Sequence, residues 1–244
     1  MQSINQKLKL LRIMSATIIV SMLILSGCGT LGPKAPAYPR TEKAQFHYRA
    51  GNLAMKQGRY EVAINEFKRS ISLETASFMP HAWLATAYFT NQNFAEAALE
   101  FQNVTGIVGG VEFGGPFPIM QALSLMRSGD TVKAQELLRY WSTPSIMMTG
   151  LGTAYYTGSG KPQGIWKVAA AYLLGGVTED KYLRKAPQED LTFPYLIIGI
   201  NNIVKNNFSK ARGILSRQLV ISGEGRWSHA IAKAELEWLN QKKQ

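Results

Sequence analysis

Four stretches of this 244-residue chain repeat one arrangement of apolar, small and polar positions. In Gly58-Arg-Tyr60-Glu-Val-Ala63-Ile-Asn-Glu-Phe67 an aromatic residue is followed three places later by Ala, and four places after that by Phe. Phe94, Ala97 and Phe101 repeat the pattern 34 residues on. Thr131, Ala134 and Leu138 follow after a further 37, with Thr131 in the aromatic place, and Phe208, Ala211 and Leu215 complete the set. Spacings of three and four put these side chains on one face of a helix. Twelve positions before each Ala, in a second helical stretch, stands a small residue: Gly51, Ala85, Ala122 and Gly199. The pattern predicts antiparallel helix pairs that approach closely at the small residue, with the Phe or Leu filling the groove to the next pair.

These intervals of small and aromatic residues resemble the tetratricopeptide repeat, a helix-turn-helix unit of about 34 residues, with His47 and His81 in place of the usual Trp. The segment Leu151 to Tyr172, with Leu151-Gly152, Tyr155, Gly158-Ser-Gly160 and Lys167, is similar to the Sel-one-like repeat, a longer-looped relative. The resemblance implies an all-α, right-handed superhelical solenoid of about five such hairpins. They are expected over 42–77, 78–111, 115–147, 148–178 and 191–223. The tail from Arg226 to Lys242 carries Trp227, Ala230, Ile231, Ala234 and Trp238 in one stripe, as a C-terminal capping helix would. Helix 193–204 is apolar nearly all round, which predicts a central helix covered on both sides; an exposed apolar patch is the alternative.

The N-terminal region has a different character. Lys7, Lys9 and Arg12 precede the apolar stretch from Ile13 to Leu25, the layout of a secretory signal peptide. As a helix that stretch reaches only about 20 Å, short of the ~30 Å hydrocarbon core. It closes with Leu25-Ser26-Gly27-Cys28, which resembles the lipobox of bacterial lipoproteins. That resemblance implies cleavage between Gly27 and Cys28 and lipidation of Cys28. With Gly29 rather than Asp next, it also implies an outer-membrane anchor facing the periplasm. Residues 29–40 hold three Pro and two Gly and read as a semi-extended tether. The expected organisation is thus a signal peptide over 1–27, a lipidated Cys and tether over 28–41, and a repeat domain over 42–244.

Charge and composition narrow the function. The chain holds 27 Lys+Arg against 16 Asp+Glu. Three of the cations leave with the signal and the rest form no dense cluster, so with a periplasmic address nucleic acid is not an expected partner. A single Cys excludes an internal disulfide and multi-cysteine zinc sites. His47, His81 and His229 lie far apart, without the spacing of a metal motif. The Gly-rich run from Gly106 to Gly115 lacks the Lys-Ser/Thr of a phosphate cradle, and Glu112 has no second acid for glycosidic chemistry. No catalysis, cofactor, metal or small-molecule substrate is expected.

In the family resembled, the first helix of each pair lines the concave groove that receives a partner. Carried onto this chain, those positions are Tyr48, Asn52 and Lys56, then Thr86, Phe89 and Thr90, then Arg127. The expected function is a non-enzymatic, lipid-anchored scaffold that binds protein partners through this groove and assists assembly of a pilus or secretion machine. Its size and layout resemble the repeat lipoproteins of type IV and Tad/Flp pilus assembly. The alternatives are a scaffold of a polysaccharide secretion complex, or an adaptor for peptidoglycan hydrolases or a periplasmic protease.

Overall fold

The computed structural model describes residues 37–108, 115–142, 147–149, 152–154 and 164–242, all within one compact unit, Ala35–Gln244. The expected signal peptide over 1–27, its expected cleavage site, Cys28 and residues 29–36 lie outside the described residues.

The described chain is built almost wholly of helices. They are α1 (Glu42–Lys56), α2 (Tyr60–Leu73), α3 (Phe78–Thr90), α4 (Phe94–Ile107), α5 (Phe117–Ser128), α6 (Thr131–Ser142), α7 (Gly164–Leu173), α8 (Glu179–Lys185), α9 (Thr192–Val204), α10 (Phe208–Ile221) and α11 (Trp227–Gln241). Four sequence-adjacent pairs pack as hairpins: α1 with α2, α3 with α4, α5 with α6, and α9 with α10. Successive units stack through α2 on α3, α4 on α5 and α6 on α7, giving a helical-repeat solenoid.

The repeat is visible in backbone geometry. Five positions before the key Ala of each hairpin, the chain takes a left-handed conformation: Gly58 at φ 71°, Gln92 at 64°, Gly129 at 92° and Asn206 at 60°. This reversal ends the first helix and aims the second back along it. Only two of the four residues are Gly, so the turn is imposed by packing of the hairpin as much as by the turn residue itself.

The small residues twelve places before each Ala do bring the helices together, though the large residue they face is in their own hairpin. A Cβ added at Gly51 would meet the Phe67 ring at 2.6 Å, and one at Gly199 would meet Leu215 Cγ at 2.6 Å. Phe67 then also reaches the next unit, with its ring 6.4 Å from that of Trp83 on α3. One side chain therefore both closes its hairpin and joins it to the following one.

The hairpin expected over 148–178 is not formed as such. Its second helix is α7, but Met147–Thr149 and Gly152–Ala154 pair as a short antiparallel ladder where the first helix was expected. Gly152 and the β-branched Thr149 and Thr153 are poor helix formers, and residues 155–163 lie outside the described residues. Helix α8, unforeseen in the repeat pattern, follows α7 and packs the Tyr182 ring on Tyr172 at 5.2 Å. Helix α9 is covered on both sides: Leu196, Ile197, Ile198 and Ile200 are fully buried.

Candidate functional site

Helix α11 does more than cap the last hairpin. Besides α10 it packs against α3 and α9, and Trp227 at its start sits among Phe101, Phe117 and Phe193, with ring centroids 6.2, 5.7 and 4.9 Å away. Further along, Glu235 accepts two hydrogen bonds from Arg127 of α5, from Nε at 3.1 Å and Nη2 at 3.0 Å. The Arg127 guanidinium also lies 4.5 Å from the ring centres of both Phe94 and Trp238. The helix thus covers the first helices of three hairpins, the surface where a partner groove was expected.

This placement corrects much of the expected groove. Arg127 does face that surface, but the protein's own Glu235 occupies it. Thr86, Phe89 and Thr90 are buried and unavailable to a partner. The two hydroxyls donate to carbonyls of their own helix, Thr86 to Ala82 and Thr90 to Ala87, and Phe89 packs edge-on to Phe94. Tyr48, Asn52 and Lys56 behave differently, because α11 stops short of covering α1. All three line a cavity of about 1120 Å³ between α1 and the start of α11.

The opposite walls come from elements far apart in sequence. Met79 and Trp83 of α3 contribute, as do Trp227, Ser228 and Lys233 of α11, with Tyr38 at one edge and Tyr60 at another. Tyr38 is held by the end of the tether: Ala37 O accepts from Met79 N at 2.9 Å, and the Arg40 and Thr41 amides donate to Glu74 at 2.7 and 3.0 Å. No family model matches this chain, and no curated protein matches it.

The cavity's electrostatics are mixed. Burial pushes the Tyr48 hydroxyl above its ordinary pKa, against hydrogen bonds from the side chains of Asn52 and Trp83. Burial, helped by the Glu237 charge, does the same to Tyr60. Two polar atoms on residues of the cavity wall, Asn52 Oδ1 and Ser228 Oγ, are buried without a hydrogen-bond partner. Helix α11 begins without a side-chain cap on its first turn, so its N-terminus carries uncompensated N–H groups and a partial positive charge.

The histidines are structural ties. His47 meets Glu66 at 2.7 Å, and His81 meets Glu100 at the equivalent positions one repeat later. Each joins the two helices of its hairpin. His229 Nδ1 lies 2.7 Å from the Ser222 hydroxyl. Among the described residues no group of three or more His, Cys, Asp or Glu is placed to hold a metal ion, and no helix is long and apolar enough to cross a membrane.

Sequence reasoning placed one wall of the cavity and missed the other. Trp227 belongs to a visible amphipathic stripe, but periodicity reveals which face is buried and not what buries it, and Lys233 lies outside that stripe.

Proposed function

We propose that this chain is a non-catalytic scaffold anchored by Cys28 to the outer membrane, a tetratricopeptide-like solenoid that holds together components of a pilus or secretion machine. The observation that carries the reading is the cavity between α1 and α11, where Tyr48, Asn52 and Lys56 converge while the remaining first-helix surface is filled by α11. Protein components dock on the helical faces and a ligand group enters the cavity. The anchor rests on the Leu25-Ser26-Gly27-Cys28 motif. Acyl chains contribute about 0.8 kcal/mol per buried CH₂, enough with several chains for lasting attachment. Between Cys28 and Ala37, which is tied to Met79, the tether spans roughly 30 Å when extended, so the cavity stays near the bilayer.

A second reading, a scaffold in a polysaccharide secretion complex, is favoured by the aromatic and cationic lining of the cavity. Two experiments test these readings. Cell fractionation of Cys28→Ser is expected to move the protein from the outer-membrane fraction to the soluble periplasm; unchanged association contradicts the anchor. Affinity capture of the full chain from cross-linked envelopes is expected to bring down pilus or secretin components on the first reading and glycan synthase components on the second. Recovery of wall hydrolases or a protease alone contradicts both.

A further inference from the structure

We propose that the cavity between α1 and α11 is a binding site for a short acidic saccharide. The inference rests on the reading of this cavity as the scaffold's receiving site, and not on which machine the scaffold serves.

The shape of the free space favours a compact ligand. With α11 laid over α3, α5 and α9, the first-helix surface is interrupted beside α1. An extended peptide needs a continuous track at about 3.3 Å per residue, and among the described residues α11 lies over the first-helix surface beyond α1. A few sugar rings fit the volume of about 1120 Å³. Six of the lining residues, Tyr38, Tyr48, Tyr60, Trp83, Phe193 and Trp227, supply phenyl, phenol or indole rings, and the apolar faces of pyranoses pack well on such surfaces.

The unmet polar groups point the same way. Asn52 Oδ1 lacks a donor, and Ser228 Oγ, on a residue 1% exposed, lacks any partner. Neighbouring sugar hydroxyls each donate and accept; both atoms are nearly without exposed surface, so a saccharide bonds to them only by displacing the side chains that cover them.

The acidic preference comes from charge. The uncapped N-terminus of α11 opens at the same place as the unpartnered Ser228. Lys56 and Lys233 stand at the mouth, and among the described residues neither has a carboxylate within ion-pair distance. Arg226 adds a third cation, shared with Asp190 at 3.4 Å, against Glu224 and Glu237. The balance is modestly positive, suited to a uronate carboxylate rather than to a highly charged polymer.

The test uses the full chain purified in detergent. Binding is followed by tryptophan fluorescence and titration calorimetry with four probes: a tetrauronate, the N-acetylglucosamine–N-acetylmuramic acid disaccharide, the neutral maltotetraose, and an acidic tetrapeptide. The tetrauronate is expected to bind about tenfold more tightly than maltotetraose. The exposed double variant Lys56→Ala/Lys233→Ala is expected to erase that preference, and Asn52→Ala to weaken every saccharide about fivefold with the helical signal retained. No saccharide binding at millimolar concentration, an acidic preference surviving in the double variant, or tighter binding of the tetrapeptide than of every saccharide overturns the proposal. Fractionation and envelope capture involve no added glycan, so they report on the scaffold reading separately.

Discussion

Replacing Glu235 by alanine removes the carboxylate that faces Arg127 and tests whether α11 is locked onto the solenoid or merely rests there. In the native protein both side chains of the pair are nearly buried, at 10% and 4% exposure. Arg127 is held between Phe94 and Trp238 and cannot swing into water without breaking those ring contacts. Removing one partner of a buried, bidentate pair leaves an uncompensated charge and costs about 3–5 kcal/mol. Replacing both, as Arg127→Met/Glu235→Leu, removes the charges together and is expected to fall within about 1 kcal/mol of the native stability. The single variant is therefore expected to be less stable than the double by about 2–4 kcal/mol, read by urea unfolding followed by circular dichroism.

The pH chosen matters. Burial pushes the Glu235 carboxyl up from 4.5 to about 7, against the lowering pull of Arg127. Between those values the folded state binds more protons than the unfolded chain, so this group's contribution to stability falls as pH rises from about 4.5 to about 7. The change is on the order of 3 kcal/mol, and it is expected to vanish in Glu235→Gln. The comparison of the two variants belongs at about pH 8, where the carboxylate is charged. A loss below about 1 kcal/mol for Glu235→Ala at that pH refutes the claim that α11 is fixed by this pair.

Other expectations follow from the packing. Gly51→Ala sets a methyl against the Phe67 ring; an overpacking cost of about 1–3 kcal/mol outweighs the ~1 kcal/mol gain in helix propensity, so thermal unfolding should show a net loss. Tyr182 is fully buried with no partner for its hydroxyl, and burial drives that hydroxyl's pKa far above its usual value. Tyr182→Phe is therefore expected to raise stability by about 1 kcal/mol in urea unfolding. Gln92 holds a left-handed φ of 64° where two other hairpins use Gly. Gln92→Gly should relieve that strain and raise the melting temperature, whereas an unchanged or lower value would show that the turn is not strained.

Much of the solenoid was legible because its determinants are local. The small residue, the key Ala and the large residue four places on report one hairpin's internal contact, so four copies, spaced 34, 37 and 77 residues apart, locate four hairpins. The all-apolar sequence of α9 likewise signalled a helix covered on both sides. The site was half legible. Tyr48, Asn52 and Lys56 follow from their place on the first helix of a pair, and they do line the cavity. Thr86 and Phe89 occupy comparable places yet are buried, and Arg127 is consumed by an acid 108 residues away in sequence. That long-range closure depends on the stacking of every intervening unit, which no local pattern encodes. The ladder between α6 and α7 was missed because a likeness to a looped repeat outweighed the weak helix propensity around Gly152 and Thr153.

The central claim is that α11 closes the first-helix surface except beside α1, and that envelope components are received there. A photoreactive amino acid placed at Lys56 or at Lys233, on the two sides of the cavity mouth, tests this in living cells. The control position is Val132 on α6, which is 67% exposed and not among the cavity-lining residues. Light-dependent adducts to a discrete envelope component are expected from both mouth positions and not from Val132; silence at the mouth, or equal adducts at all three positions, contradicts the account.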